Sequence, residues 1–232
     1  MIKMLVTSFY NTLINKEDAI PMSTMLELDR VRKNRVSFVV STNRLNDEVL
    51  YYNKDYPFID YIVSLNGNYI YDVENNVCLY KNPLREEMIK EIETRFQDHT
   101  IFYYTENKYY LKRPKSDIYK IEVKLKRKEL QCEKELEDLG VATSILRIGR
   151  GYFLEVTSNS TYEGIIKLSE MISIFNDEIV SIVGNESELE VVENLKNTYI
   201  VSNSPKCLKE KTKNKTKSNN TKGVEYLLKK LF

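Results

Sequence analysis

Short apolar runs rich in β-branched residues recur along the chain. Four of them, at residues 2–7, 36–41, 59–64 and 179–183, consist mostly of Ile, Val, Leu, Met, Phe and Tyr. Such runs are typical of strands that are buried on both faces of a parallel sheet. Residues 23–32, between the first two runs, have apolar residues at helical spacing. The order strand, helix, strand predicts a right-handed βαβ unit and an α/β fold.

The middle of the chain has a different pattern. Residues 84–97 have helical periodicity, and residues 127–139 predict a second helix. The strand-like segments around these helices are 100–104, 108–112, 118–125 and 151–156. Because short polar connections such as Glu106-Asn107 separate some of these segments, the pattern indicates an antiparallel α+β unit.

Together the two patterns predict a discontinuous core. Helical spacing at residues 161–175 leads back to the apolar run at 179–183. We therefore expect residues 1–80 and 157–232 to form a core with a parallel sheet and helices on both faces. Residues 81–156 are expected to form an inserted α+β domain.

The composition is that of an ordinary soluble globular protein. The chain has 232 residues, of which 42% are hydrophobic and 30% charged. No apolar run approaches the roughly 20 residues that span a bilayer, and the N-terminus lacks a signal-peptide pattern. We therefore expect a cytoplasmic protein without a membrane partner. Cys78, Cys132 and Cys207 are odd in number and widely spaced, which indicates neither a disulfide framework nor a zinc site.

The charge is distributed unevenly. Residues 206–232 contain nine Lys and two acidic residues, whereas the rest of the chain has a net charge of −6. A Lys-rich segment can attract nucleic acid or an anionic surface. This segment lacks the interleaved aromatic and arginine residues of a base-stacking surface. We therefore favour a solvated segment and do not expect nucleic-acid binding.

The most informative residues follow the first apolar run. Residues 2–14 resemble the first motif of the haloacid dehalogenase-like (HAD) phosphatases, a hydrophobic strand followed by D-x-D-G-T. In that motif the first aspartate attacks phosphorus and the second transfers protons. Here Ser8 has the place of the nucleophile, Tyr10 that of the acid/base residue, and Asn11 that of the glycine.

The resemblance is to the Cof-type branch and covers nearly the whole chain. It continues through VVSTNR, SLNGNYIYD, FLEVTSNSTYEGIIKL, IVGNESELEV and SNNTKGVEYLLKKLF, at residues 39–44, 64–72, 153–168, 182–191 and 218–232. It implies a Rossmann-like core with an α/β cap inserted after the third core strand. Because the insert is short for this branch, we expect a reduced cap.

The second and third motifs differ in how well they are kept. Thr42 matches the hydroxyl residue that holds the phosphoryl group, at the end of a strand where α/β sheets bind ligands. Arg44 is retained next to Asn43, which replaces a glycine. The lysine of the third motif, which neutralises charge in the family, corresponds to Glu163. Lys167 follows about one helical turn later.

The fourth motif holds Mg²⁺ in active relatives. Asn185 has the place of its aspartate, and Glu188 keeps one carboxylate. Ser8, the Tyr10 carbonyl and Asn185 would form a nearly uncharged cradle, whereas Mg²⁺ is usually bound through carboxylates. We therefore expect Mg²⁺ binding to be weak or absent, and no other cofactor.

Two further features concern the loops of the site. Asn66-Gly67 matches the family loop that joins core and cap near the substrate, although Asn-Gly is also a common turn pair. Asn11 and Asn43 both replace glycines, and Asn tolerates a left-handed backbone better than most residues. We expect both loops to keep their turn geometry.

The resemblance and its replacements predict a catalytically inactive HAD-fold protein. Such a protein would bind a phosphorylated small molecule or a protein partner, including a second copy of itself. The candidate ligand-binding residues are Ser8, Asn11, Thr42, Asn43, Arg44, Asn66, Gly67, Asn185 and Glu188. Two alternatives stay open: an active sugar or nucleotide phosphatase that uses groups such as Glu188 and Lys167, and an interaction protein that uses residues 206–232.

Overall fold

Two β-sheets organise the part of the chain that the computed structural model describes, residues 1–54, 57–126 and 132–232. The strands are β1 (Met4–Ser8), β2 (Ser37–Ser41), β3 (Tyr61–Ser64), β4 (Tyr69–Asp72), β5 (Val77–Lys81), β6 (Thr100–Tyr104), β7 (Tyr109–Tyr110), β8 (Lys120–Leu125), β9 (Ala142–Ile148), β10 (Gly151–Thr157), β11 (Ile179–Val183), β12 (Thr198–Val201) and β13 (Lys215–Thr216). The α-helices are α1 (Met22–Lys33), α2 (Asn46–Asn53), α3 (Glu86–Arg95), α4 (Thr161–Met171), α5 (Leu189–Asn194), α6 (Lys206–Lys211) and α7 (Gly223–Leu231).

The larger sheet has β1 near its centre. Its strand order is β13-β12-β11-β1-β2-β3-β4-β5, and β1 pairs in parallel with β11 and with β2. Met4, Leu5 and Val6 are fully buried, as the unbroken apolar run predicts for a strand covered on both faces. The strands from β13 to β3 are parallel, but β4 and β5 are antiparallel. The connections into β4 and β5 are short, and a short connection can only join antiparallel strands.

Helices cover both faces of this sheet, as predicted. On one face, α1, α2 and α7 contribute residues such as Leu28, Val49 and Leu227 to one apolar cluster. On the other face, α4, α5 and α6 contribute residues such as Ile165 and Leu208 to a second cluster. This three-layer arrangement is the expected α/β core. No helix among the described residues is long and apolar enough to cross a membrane.

The smaller sheet and α3 form a separate layer, which we call the cap. Its strands are antiparallel in the order β7-β6-β8-β10-β9. One face packs on α3 through residues such as Ile92, Ile121 and Leu154. Because side chains alternate along a strand, Lys120 and Glu122 of β8 lie on the opposite face.

The cap agrees with most of the predicted pattern. The predicted strands are found as β6, β7, β8 and β10, and Gly149 has the positive φ of 59° of a hairpin turn before β10. Strand β9 was missed because most of its residues are only half-buried and give no clear alternation. The helix predicted at 127–139 begins outside the described residues, and its described end is a short 3₁₀ turn, Lys134–Leu139.

The Asn66-Gly67 turn lies directly against the first turn of α4. Gly67 has a φ of 92°, and a Cβ atom there would lie 2.3 Å from the Ser160 carbonyl oxygen. A Cβ atom on Gly164 would lie 2.3 Å from the Gly67 Cα atom. Only glycine at both positions allows this backbone contact, which joins the end of β3 to α4.

We expect Gly67→Ala to destabilise the protein by about 1–3 kcal/mol more than Gly149→Ala. Both glycines have positive φ, but a Cβ atom on Gly149 would meet no atom within 4 Å. Both variants therefore place alanine at a positive φ, and Gly67→Ala adds the steric clash and the larger backbone strain of its φ of 92°. Urea unfolding of both variants measures the difference. Equal losses of stability would show that the contact with α4 relaxes without cost.

Candidate functional site

The carboxyl ends of β1, β2 and β11 bring most of the predicted residues to one edge of the larger sheet. Ser8 ends β1 and is paired with Ser41 at the end of β2. Thr42 follows β2, and Gly184-Asn185 follows β11. In parallel α/β sheets, ligands bind at this edge. The structure therefore places these residues where the sequence predicted a site.

The two loops with glycine-to-asparagine replacements differ in conformation. Asn11 has a φ of 60°, as expected for a residue that takes the place of a glycine. Asn43 does not have a positive φ, so the expectation for this loop is wrong. The Thr42 hydroxyl oxygen accepts a hydrogen bond from the Arg44 backbone N–H at 3.1 Å. This side-chain turn holds the loop without a left-handed residue.

The side chain of Asn185 connects the ends of β1 and β11. Its Nδ2 donates to the Tyr10 carbonyl oxygen at 3.1 Å and to Glu188 Oε2 at 3.3 Å, and its Oδ1 accepts from Asn11 Nδ2 at 2.8 Å. Because a carbonyl and a carboxylate can only accept, the amide group must face them with its nitrogen. The Tyr10 carbonyl oxygen, which the resemblance assigns to the metal site, therefore faces an N–H donor.

Glu188 is buried beneath this amide and closes the turn after β11. Its Oε2 accepts hydrogen bonds from the backbone N–H groups of Gly184 and Asn185 at 3.1 and 3.0 Å. Burial raises the pKa of Glu188 above its usual value, although hydrogen bonds from Ser8, Asn185 and Gly184 oppose this shift. Glu188 therefore has the contacts of a turn-capping carboxyl group, with no cationic partner in the part of the chain that the structure describes.

The residues present do not fit Mg²⁺. Ser8 and Asn185 are neutral, and Glu188 Oε2 accepts hydrogen bonds from three N–H groups. Mg²⁺ needs near-octahedral oxygen ligation, usually with carboxylates. Within the described ranges, no group of three or more His, Cys, Asp or Glu side chains could hold a metal ion.

Tyr10 is held by two neighbours from the second motif region. Its hydroxyl donates to Glu48 Oε2 at 3.1 Å, and the Arg44 guanidinium carbon lies 5.5 Å from its ring centroid. Burial and then the Glu48 carboxylate raise the pKa of Tyr10 well above its usual value. The phenol therefore stays protonated at neutral pH and is a poor replacement for an aspartate in proton transfer.

Glu163 and Lys167 have structural contacts on α4. The Glu163 carboxylate accepts from the Ser160 N–H at 2.7 Å, and the Ser160 hydroxyl accepts from the Glu163 N–H at 3.3 Å. This reciprocal pair is a capping box. Lys167 is exposed, pairs with Glu170 at 3.7 Å and lies 6.0 Å from the Tyr80 ring. None of these contacts involves Ser8 or Thr42.

A buried lysine from the cap reaches the second motif loop. Lys120 is fully buried, and its Nζ donates to the Asn43 carbonyl oxygen at 2.7 Å. The same ammonium group donates to Glu122 Oε1 at 2.7 Å and to Glu155 Oε1 at 3.0 Å. Burial opposes the charge, but Glu155 and Glu122 outweigh it and raise the pKa of Lys120.

Glu155 extends these contacts to a second core loop. It accepts from Asn43 Nδ2 at 2.9 Å, from Asn66 Nδ2 at 3.2 Å and from Ser144 Oγ at 3.0 Å. Burial opposes its ionisation, but the Lys120 charge and these donors lower the pKa of Glu155. We call Lys120, Glu122, Glu155, Asn43 and Asn66 the polar latch.

The three cap residues of the polar latch, Lys120, Glu122 and Glu155, were not among the predicted site residues. Lys120 and Glu122 are charged residues at alternate positions of a predicted strand, and this alternation indicates that one face of the strand is polar. The burial of these residues could not be predicted from the sequence, because it depends on how the cap packs against the larger sheet. Asn43 and Asn66 were predicted as ligand-binding residues, and in the structure both donate hydrogen bonds to Glu155 of the cap.

The chain is similar to proteins of one family. The profile of the haloacid dehalogenase-like hydrolases matches residues 9–148 and 112–228. A solved haloacid dehalogenase-like hydrolase from B. subtilis is 15% identical with a TM-score of 0.87, and the similarity covers 100% of both chains. BT1666 from Bacteroides thetaiotaomicron, described among phosphatases of the HAD enzyme superfamily, is 14% identical with a TM-score of 0.85, covering 99% of this chain and 95% of that one.

SMU.1108c from Streptococcus mutans UA159 has a TM-score of 0.82 at 17% identity, and the similarity covers 99% of this chain and 98% of that one. At these identities the likeness concerns the fold, which is the expected Rossmann-like core with a cap. A search of curated proteins gave no significant match.

We expect Lys120→Met to lower the free energy of unfolding by about 3–5 kcal/mol, because it leaves Glu122 and Glu155 buried without their cation. Lys124→Met is the matched control, since Lys124 lies on the same strand but is exposed, and we expect a change within about 0.5 kcal/mol. Denaturant unfolding followed by circular dichroism measures both. If both variants lost little free energy of unfolding, Glu122 and Glu155 would have to become protonated in Lys120→Met without destabilising the fold.

Proposed function

Because the chain belongs to the haloacid dehalogenase-like hydrolase family, we propose that it is a member that binds a protein partner and does not hydrolyse phosphate esters. The observation that carries this proposal is the 3.1 Å hydrogen bond from Asn185 Nδ2 to the Tyr10 carbonyl oxygen. The Asn185 N–H donor thus lies against a carbonyl oxygen that the resemblance assigns to the metal site. The site is thereby closed by the protein's own groups.

The nucleophile position supports the same conclusion. Ser8 is fully buried, and its hydroxyl lies 3.4 Å from the Ile182 carbonyl oxygen. A phosphoserine ester is not labile like the acyl phosphate that an aspartate forms, so water would not release it readily. Tyr10, with its raised pKa, is a weak proton donor for the leaving group. Both halves of the family's reaction thus lack a suitable group.

The charges of the cleft favour a protein partner over a phosphorylated small molecule. The polar latch contributes one ammonium and two carboxylates above the second motif loop. Glu48 beside Tyr10 adds a further acid, and Arg44 lies over the Tyr10 ring. A phosphate dianion in this cleft would meet more acidic than basic groups, and like charges repel strongly where water is excluded. Binding through the outer surface, to another protein or a second copy, avoids this cost.

A second candidate function is a phosphatase that uses Ser8 with Glu188 as its base. The observation in its favour is that Ser8 and Glu188 are neighbours, since the Ser8 side chain opposes the burial that raises the pKa of Glu188. Against it, Glu188 Oε2 already accepts from two backbone N–H groups, and Lys167 makes its contacts at Glu170 and Tyr80. This candidate therefore has a nucleophile and a base but no identified cation for the phosphoryl oxygens.

We expect the purified protein to release no phosphate from sugar phosphates or p-nitrophenyl phosphate in the presence of Mg²⁺. Turnover near 1 s⁻¹, the low end for ordinary enzymes, would contradict the proposal if Ser8→Ala abolished it. Loss of that turnover in Glu188→Gln as well would support the second candidate. Turnover that survives in Ser8→Ala would identify a contaminating phosphatase.

We expect Mg²⁺ to raise the melting temperature of a Ser8→Asp/Asn185→Asp variant and not that of the wild type. The two substitutions add anionic oxygens and remove the amide donor from the Tyr10 carbonyl, and binding to the folded state alone stabilises it. Ser8→Asp/Asn194→Asp is the matched control, because Asn194 is exposed and outside the site. An increase of the wild-type melting temperature on addition of Mg²⁺ would refute the interpretation that the Asn185 amide takes the place of the cation.

A further inference from the structure

The polar latch joins the cap to the core, and we propose that it locks the cap closed, so that Lys120 and Glu155 occupy the cleft in place of a ligand. A closed cap does not follow from family membership. It is also independent of the proposed loss of hydrolysis. The proposal concerns the position of the cap in solution. It rests on three sets of contacts between the two sheets.

The first set is the polar latch itself. Lys120 and Glu155 of the cap make three hydrogen bonds to Asn43 and Asn66 of the core, at 2.7, 2.9 and 3.2 Å. Buried ion pairs add little net stability, because full opening returns the charges to water. The ion pairs lie within the cap, but a small opening would break the hydrogen bonds of Lys120 and Glu155 to Asn43 and Asn66 before water could replace them, which is costly for charged groups. The latch therefore favours one closed position over slightly displaced ones.

The second set is an apolar cluster beside the latch. Leu65 and Tyr69 of the core pack against Tyr104 and Tyr119 of the cap, and none of the four is more than 7% exposed. The rings of Tyr69 and Tyr119 meet edge to face, with centroids 6.0 Å apart. Opening the cap would expose these large side chains to water, so burial of the cluster supplies the driving force for closure.

The third set ties the β6–β7 turn of the cap to the edge of the larger sheet. Glu106 accepts from the Tyr69 hydroxyl at 2.6 Å and from Lys81 Nζ at 2.7 Å. Lys81 and then Tyr69 lower the pKa of Glu106 through these hydrogen bonds, so its charge persists at neutral pH. The cap is thus held at its centre and at one edge. A ligand that entered above Asn43 would have to displace both Lys120 and Glu155.

The accessibility of Lys120 to an amine-acylating reagent tests the lock in the full chain. Lys120 is fully buried, whereas Lys124 on the same strand is exposed and serves as the internal reference. We expect Lys120 to be acylated at least about 100-fold more slowly than Lys124, as for an open state populated at about 1%. Mass spectrometry of the peptides reports both rates. Comparable rates would show that the cap opens freely and would overturn the proposal.

An Asn43→Ala/Asn66→Gly variant tests the role of the latch. It removes two donors to Glu155 on the core side, and glycine keeps the positive φ of 54° at residue 66. We expect acylation of Lys120 to accelerate by about thirtyfold, because the variant removes two hydrogen bonds that contribute about 1 kcal/mol each, with the Lys124 rate unchanged. Asn76→Gly, which also has a φ of 54° but lies in an exposed turn, should leave Lys120 protected. An unchanged Lys120 rate in the double variant would refute the latch.

Discussion

A hydrogen-bond chain from Asn11 through Asn185 to Glu188 determines the chemistry of the sheet edge. Parallel strands that are buried on both faces bring the polar groups at their carboxyl ends together, and buried polar groups need partners. In this family the resemblance implies that carboxylates and a cation provide them. Here two neutral amides bridge β1 and β11. Amides carry donors and acceptors in one side chain, so the Tyr10 carbonyl and the Glu188 carboxyl group have hydrogen-bond partners without an ion.

The polar latch follows the same logic with charged groups. Lys120 has acceptors in Glu122, Glu155 and the Asn43 carbonyl, and Glu155 has donors from both sheets. The acceptors around the ammonium group are therefore supplied by the protein itself. Lys120 and Glu155 are thus paired within the protein, and a ligand would gain contacts with these two groups only where the protein gives up its own. The proposed loss of hydrolysis and the proposed closed cap are therefore mutually consistent, although neither implies the other.

The sequence predicted those features that depend on local pattern. The run at 2–7 became the buried strand Met4–Ser8, because period and composition alone decide which faces are covered. The positive φ of Asn11 was predicted from its residue type, whereas Glu163 was assigned only to the third motif and its capping box with Ser160 was not predicted. The contact of Lys120 with Asn43, 77 residues away, was not predictable, because it depends on the docking of two sheets.

The replacements at the motif positions are physically coupled. With Ser8 and Asn185 neutral, a lysine at residue 163 would have no charge to neutralise, and glutamate there stabilises the start of α4 instead. Restoring an aspartate at residue 8 alone would place a second acid beside the buried Glu188 carboxyl group without a cation. Two acids in one buried site raise each other's pKa, so the new group would tend to stay protonated and would not be nucleophilic. An aspartate at residue 8 would therefore need the metal ligands of the fourth motif beside it before it could act as a nucleophile.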